Sequence, residues 1–177
     1  MTTPVLIPAG NTYAIMSIRV APSASGSQPG SSVGAREILN KMQLILSDSD
    51  VYATVPVYVQ YVLNGQLSAN TPAWQNVGGS SLTQYIFHNT TSPTIVTGGE
   101  TIYGTYLNSA GGNNYTITSS TLTNVRDLGN SILGGGYSSG AIGVYPDGPD
   151  TLTIIATNLS ATPANTYVRI AWTEAQA

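Results

Sequence analysis

An all-β sandwich or jelly roll in one domain is the fold this sequence predicts, and three observations predict it. β-Branched and aromatic residues recur from end to end in runs of about five to ten. The runs are separated at short intervals by Gly, Pro, Asn and Ser, the chemistry of tight turns. No segment sustains the 3.6-residue apolar period of a long helix, and roughly eight to ten short strands fold as a sandwich or jelly roll, with a small barrel as the alternative. A chain of 177 residues can enclose one sizeable core. The expected division is an N-terminal strand with a Ser/Pro/Gly-rich arm over residues 1–32 and a β-sandwich over 33–177.

The elements follow in order. Thr12 to Val20 alternates Tyr13, Ile15 and Ser17 against Ala14, Met16, Ile18 and Val20, as a half-buried strand does. Ala21 to Gly34 is too polar for core and reads as a loop or arm. Arg36 to Leu46 fits both a helical and a strand period. A strand is preferred, because no glycine cap follows and the turn-like Ser47-Asp48-Ser49-Asp50 leads into a strong strand. That strand, Val51 to Leu63, sets Val51, Ala53, Val55, Val57, Val59 and Tyr61 on one side, with Pro56 marking an edge or a bulge. Asn64-Gly65 is a tight-turn dipeptide expected to return the chain along a neighbouring strand. Further strands are expected near Gln84 to His88, Thr94 to Val96, Thr101 to Leu107, Tyr115 to Val125, Ala141 to Val144, Thr151 to Asn158 and Tyr167 to Thr173.

Composition narrows the function. Charged residues are 7 % of the chain against roughly 25 % in an average soluble protein, while Ser, Thr, Asn and Gly make up about two-fifths of it. Five Lys and Arg in total provide no basic stripe for phosphates, so nucleic-acid binding is not expected. Cysteine is absent, which removes disulfides, thiolate metal sites and a Cys nucleophile. No export signal or membrane span is expected, because MTTPVLIPAG lacks a basic n-region and no apolar run reaches the roughly 20 residues of a membrane helix. A composition suited to work outside a cell, without visible means of secretion, fits a virion protein assembled in a host cytoplasm and released by lysis.

No catalytic constellation stands out. His88 is the single histidine, and IFHNTT does not resemble a nucleophile elbow, so a structural or surface role is expected. Asp48 with Asp50 and Asp147 with Asp150 are the close carboxylate pairs. Such pairs serve glycoside hydrolysis or Ca²⁺ binding, but both lie in turn sequences. Gly134-Gly135-Gly136 lacks the following Lys of a phosphate loop. No cofactor or metal is therefore expected. Eleven Tyr against one Phe is the informative bias, since tyrosine joins apolar area to a hydroxyl and is enriched at interfaces. Trp172 is expected in the core and Trp74 as a loop anchor. Scarce charges such as Arg126-Asp127 suit either a subunit contact or an exposed ion pair. The candidate interface residues are Tyr13, Trp74, Arg126, Asp127, Tyr137 and Tyr145.

The strings GAREILNKMQLIL, WQNVGGSSLTQYIFHN, GGETIYGTY, NVRDLGNSILGGG, YPDGPDTLTIIATN and RIAWTEAQA, in that order, resemble a module of structural proteins in tailed bacteriophages, especially those of cyanobacteria. The resemblance covers about residues 33–177. It implies a virion component without enzymatic activity and names neither capsid nor tail. The expectation is a capsid decoration or cement protein, homotrimeric and bound to the major capsid protein, with a tail, baseplate or fibre component as the alternative. Either Ala21 to Gly34 or the extreme N-terminus is expected to be an arm ordered on the particle.

Overall fold

The computed structural model describes residues 3–20, 42–69, 71–78, 81, 83–89, 93–108, 113–118, 132–134 and 150–176. Every regular element among them is a strand: β1 (Val5–Ile7), β2 (Thr12–Val20), β3 (Met42–Ala53), β4 (Val57–Leu63), β5 (Gln66–Leu67), β6 (Gln75–Asn76), β7 (Thr83–Phe87), β8 (Val96–Thr97), β9 (Glu100–Leu107), β10 (Asn113–Thr118), β11 (Ile132–Gly134), β12 (Thr151–Asn158) and β13 (Ala164–Gln176). The strands expected at Thr12 to Val20 and Thr151 to Asn158 are found with those bounds. The expected arm, the strand at Ala141 to Val144 and residues 119–125 lie outside the described residues.

Two antiparallel sheets face each other. One runs β1-β13-β3-β10, with β11 also on β3, and the other runs β6-β7-β2-β12-β4-β9. With β5, β6, β7, β8 and β11 set aside, eight strands remain among those described. In chain order the first pairs the eighth, the second the seventh, the third the sixth and the fourth the fifth. A long hairpin wound up on itself gives this order, and the result is a jelly roll. One apolar cluster fills the space between the sheets, with Val5, Leu44, Val51 and Val168 from one and Ile18, Val59, Leu107 and Ile154 from the other.

Near the N-terminus, Val5–Ile7 belongs to this core and is not a free arm. Val5 and Ile7 are fully buried, and β1 pairs β13 through Val5 opposite Thr166 and Ile7 opposite Ala164.

Three readings of strand register are corrected. Val51 to Leu63 is not one strand: β3 ends at Ala53 in one sheet and β4 begins at Val57 in the other. Thr54 to Pro56 forms the corner, where Thr54 N donates to Asn165 O at 3.1 Å and Leu159 N donates to Pro56 O at 3.1 Å. The alternation runs unbroken through it because both sheets face the same core, and Val55 packs there too. Asp48 and Asp50 are not in a turn but in β3, opposite Ala171 and Arg169. In β2 a bulge leaves Ile15 unpaired between Ala14 opposite Ile155 and Met16 opposite Ile154. The inward face therefore changes parity, from Tyr13 and Ile15 to Met16, Ile18 and Val20.

Asn64-Gly65 does turn the chain, with Asn64 at φ 54°, but it leads into β5, which pairs β8 instead of returning along β4. Residues of the long β4-to-β9 connection then cover the outer face of the six-stranded sheet. Val96 packs on Ala14, Val62 and Ile155, and Ala14 N donates to Thr94 O at 2.9 Å.

The two ends of the sandwich differ. The β1-to-β2, β3-to-β4 and β12-to-β13 connections are short, and the first and third meet at Asn158, which is buried. Its Nδ2 donates to Ile7 O at 2.9 Å and Thr162 O at 2.8 Å, and its Oδ1 accepts from Ser160 N at 2.8 Å. At the opposite end β4 finishes and β9 begins, with Leu63 opposite Glu100.

Candidate interaction surface

The outer face of the six-stranded sheet carries the most developed side-chain arrangement. Arg19, Gln84 and Asn76 are cross-strand neighbours on β2, β7 and β6. They point away from the core, since the adjacent Ile18 and Val20 point into it. Arg19 Nε and Nη2 both donate to Gln84 Oε1, at 3.1 and 3.0 Å, and Gln84 Nε2 donates to Asn76 Oδ1 at 3.0 Å. The guanidinium carbon lies 3.9 Å from the centroid of the Trp74 ring, a cation–π contact. Burial lowers the Arg19 pKa to about 10, so the charge persists at neutral pH.

Farther along the same face, Tyr58 on β4 and Tyr106 on β9 are directly paired, with ring centroids 4.5 Å apart at 33°. Tyr106 is 66 % exposed. Tyr58 reaches over Gly104, where a Cβ would come within 2.3 Å of its hydroxyl; the missing side chain makes room for the ring. Thr157 and Thr12 continue the row, joined hydroxyl to hydroxyl at 2.8 Å. On the other sheet Tyr52 and Tyr167 form a second outward pair, 5.8 Å between centroids.

His88 sits beneath the covering segment and is 1 % exposed. Its Nε2 lies 2.9 Å from Ser17 Oγ and its Nδ1 2.9 Å from Thr94 Oγ1, and Ser17 Oγ is 2.8 Å from Thr153 Oγ1. A serine and a histidine in contact suggest a nucleophile and its base. Here, however, a hydroxyl stands where an orienting carboxylate would be, and Ser17 is fully buried. Burial lowers the His88 pKa to about 4. The imidazole is held neutral, giving one donor and one acceptor to the hydroxyls around it.

Four of the described carboxylates hold neighbouring strands and turns together. Arg169 on β13 bridges Asp50 through Nε at 2.6 Å and Asp48 through Nη2 at 2.6 Å. Glu174 accepts from the hydroxyls of Ser81 and Thr83. Asp150 Oδ1 accepts from Asn64 Nδ2 at 2.7 Å. Among the described residues no three His, Asp or Glu gather into a metal set.

Of the expected interface residues, Tyr13 is half-buried against the core, and Trp74 is half-buried under Arg19. Arg126, Asp127, Tyr137 and Tyr145 lie outside the described residues, as does Asp147. Trp172 packs against the core. Sequence reasoning missed Arg19, Gln84, Tyr58 and Tyr106. Only the excess of tyrosine hinted at the last two.

Comparison with protein-family models, curated proteins and solved structures finds no match. The jelly-roll assignment accordingly rests on strand order alone.

Proposed function

We propose that this chain is a non-enzymatic structural subunit of a bacteriophage particle, a capsid decoration or cement protein that trimerises and binds the major capsid protein. The observation that carries the reading is the strand order, because jelly rolls build viral capsid and lectin domains as well as cupins. A fold alone does not choose among these, and the residues narrow the choice. Metal-dependent chemistry draws on clustered imidazole and carboxylate ligands, whereas this chain has one histidine, enclosed by hydroxyls. A subunit that binds by area needs little charge and many amphipathic rings outside, and paired tyrosines face outward on both sheets. The sequence resemblance to tailed-phage structural modules supports the same reading. Assembly of three copies would add stability by mass action.

The test is cryo-electron microscopy of the particle that encodes the chain, with its copies counted. Many copies spread over the shell is the expected result. A chain missing from purified particles would overturn the proposal.

One observation favours a second reading, a tail, baseplate or fibre component touching host glycans: the exposed Tyr106 stacked on Tyr58 offers an aromatic surface among hydroxyls. A few copies at one vertex, with binding of the isolated protein to host cells, would select it.

A further inference from the structure

Arg19 carries a positive charge with no carboxylate against it among the described residues. Asp48 and Asp50 are held by Arg169, Glu174 accepts from Ser81 and Thr83, Asp150 accepts from Asn64, and Glu100 lies on β9, three strands away in the sheet order. A half-buried guanidinium without a counter-charge is costly, and proteins keep such groups where something else supplies the charge. The cation is also held in one orientation. Gln84 takes its Nε and Nη2 side, Asn76 fixes which way the Gln84 amide points, and Trp74 supports the guanidinium plane.

We propose that Arg19, positioned by Trp74 and Gln84, is a docking point for an acidic side chain, Asp or Glu, of a partner protein. The contact to Gln84 leaves two N–H groups on Nη1 and one on Nη2, enough to pair end-on with both oxygens of a carboxylate. A protein carboxylate suits the site better than an acidic sugar. Trp74 is half-buried with its ring under the guanidinium, so it is not set out as a stacking platform. Next to Asn76, Val77 is 41 % exposed and offers an apolar contact instead. Arg and Trp beside apolar surface are the composition of interface hot spots. The inference rests on the proposed role as a subunit bound to another virion protein, and it names one point of that contact.

The experiment uses the full chain, ¹⁵N-labelled, titrated with N-acetylglutamate N-methylamide while the Arg19 Nε–H and Trp74 indole N–H resonances are followed. Saturable shifts of both are expected. Affinity should fall about tenfold in Arg19→Met and also in Arg19→Lys, which keeps the charge but loses the fork. The neutral N-acetylglutamine N-methylamide should leave both resonances in place. An absent response in the wild type, an equal response to the glutamine analogue, or unchanged binding in Arg19→Met would overturn the proposal. Tighter binding of methyl glucuronoside would overturn it in favour of an acidic sugar. Because the titration needs no particle, its failure removes the docking point only, whereas absence of the chain from particles removes the virion role.

Discussion

Acidification should unload a defined amount of stability through His88. Above pH 6.5 the imidazole is neutral in both folded and unfolded chains and contributes no pH dependence. As pH falls below 6.5 the unfolded chain takes up a proton, while the folded chain resists until about pH 4, because protonation would place a charge in a buried site. The unfolded state binds more protons across that window, so stability falls as pH falls and levels off below about 4. Each tenfold difference in proton affinity between the two states is worth about 1.4 kcal/mol, so the full effect is about 3 kcal/mol, of which about 2 kcal/mol is lost between pH 7 and pH 4.5. Urea denaturation of the wild type and His88→Gln at both pH values isolates it. Gln keeps polar contacts to the hydroxyls but does not titrate. The wild type should lose about 2 kcal/mol more than the variant over this interval, whatever the offset between the two at pH 7. Equal losses, or an imidazole resonance titrating near pH 6.5 in the folded protein, would refute the reasoning.

Three other perturbations test the packing. Asn158→Ala removes three hydrogen bonds where two of the short connections meet; a loss of about 3 kcal/mol in urea denaturation is expected, and a loss below about 1 kcal/mol would show that these turns hold themselves. Tyr61→Phe deletes the 2.9 Å bond from Tyr61 to Ser49, which joins the two sheets across the core; stranding the buried Ser49 hydroxyl should cost about 1 to 2 kcal/mol, read from the same denaturation curves. Gly104→Ala puts a Cβ into the Tyr58 hydroxyl, the free end of a long side chain. The thermal midpoint should therefore change little while the near-ultraviolet dichroism of the Tyr58–Tyr106 pair changes; an unaltered spectrum would contradict the contact.

What the sequence reveals and conceals follows from the range of each interaction. β2 and β12 are legible end to end because turn chemistry bounds runs rich in β-branched and apolar residues. The corner at Thr54 to Pro56 is hidden, because inward positions on facing sheets continue one another's alternation. Asp48 and Asp50 look like turn formers, since nothing local announces Arg169, some 120 residues away, which makes a strand position acceptable to them. The bulge at Ile15 reverses the parity of a correctly located strand, and β-bulges depend on the partner strand. Trp74 is legible as a loop anchor, but its partner Arg19 lies on another strand and only the fold brings them together. The site is therefore visible in the sequence as one residue and not as an arrangement.

The winding order also determines when this molecule can come into being. β13 lies between β1 and β3, and β12 lies between β2 and β4. Both are synthesised after every other described strand. Until they leave the ribosome, β1 to β4 lack the central neighbours that join them, and neither main sheet can be completed. The contacts that close the fold span almost the whole chain, Val5 to Thr166 and Thr12 to Thr157 among them. Such pairing is slow and follows synthesis instead of accompanying it. A ribosome-bound fragment that lacks β12 and β13 therefore cannot present a finished surface, and any partner that reads both sheets meets them only after these two strands have emerged.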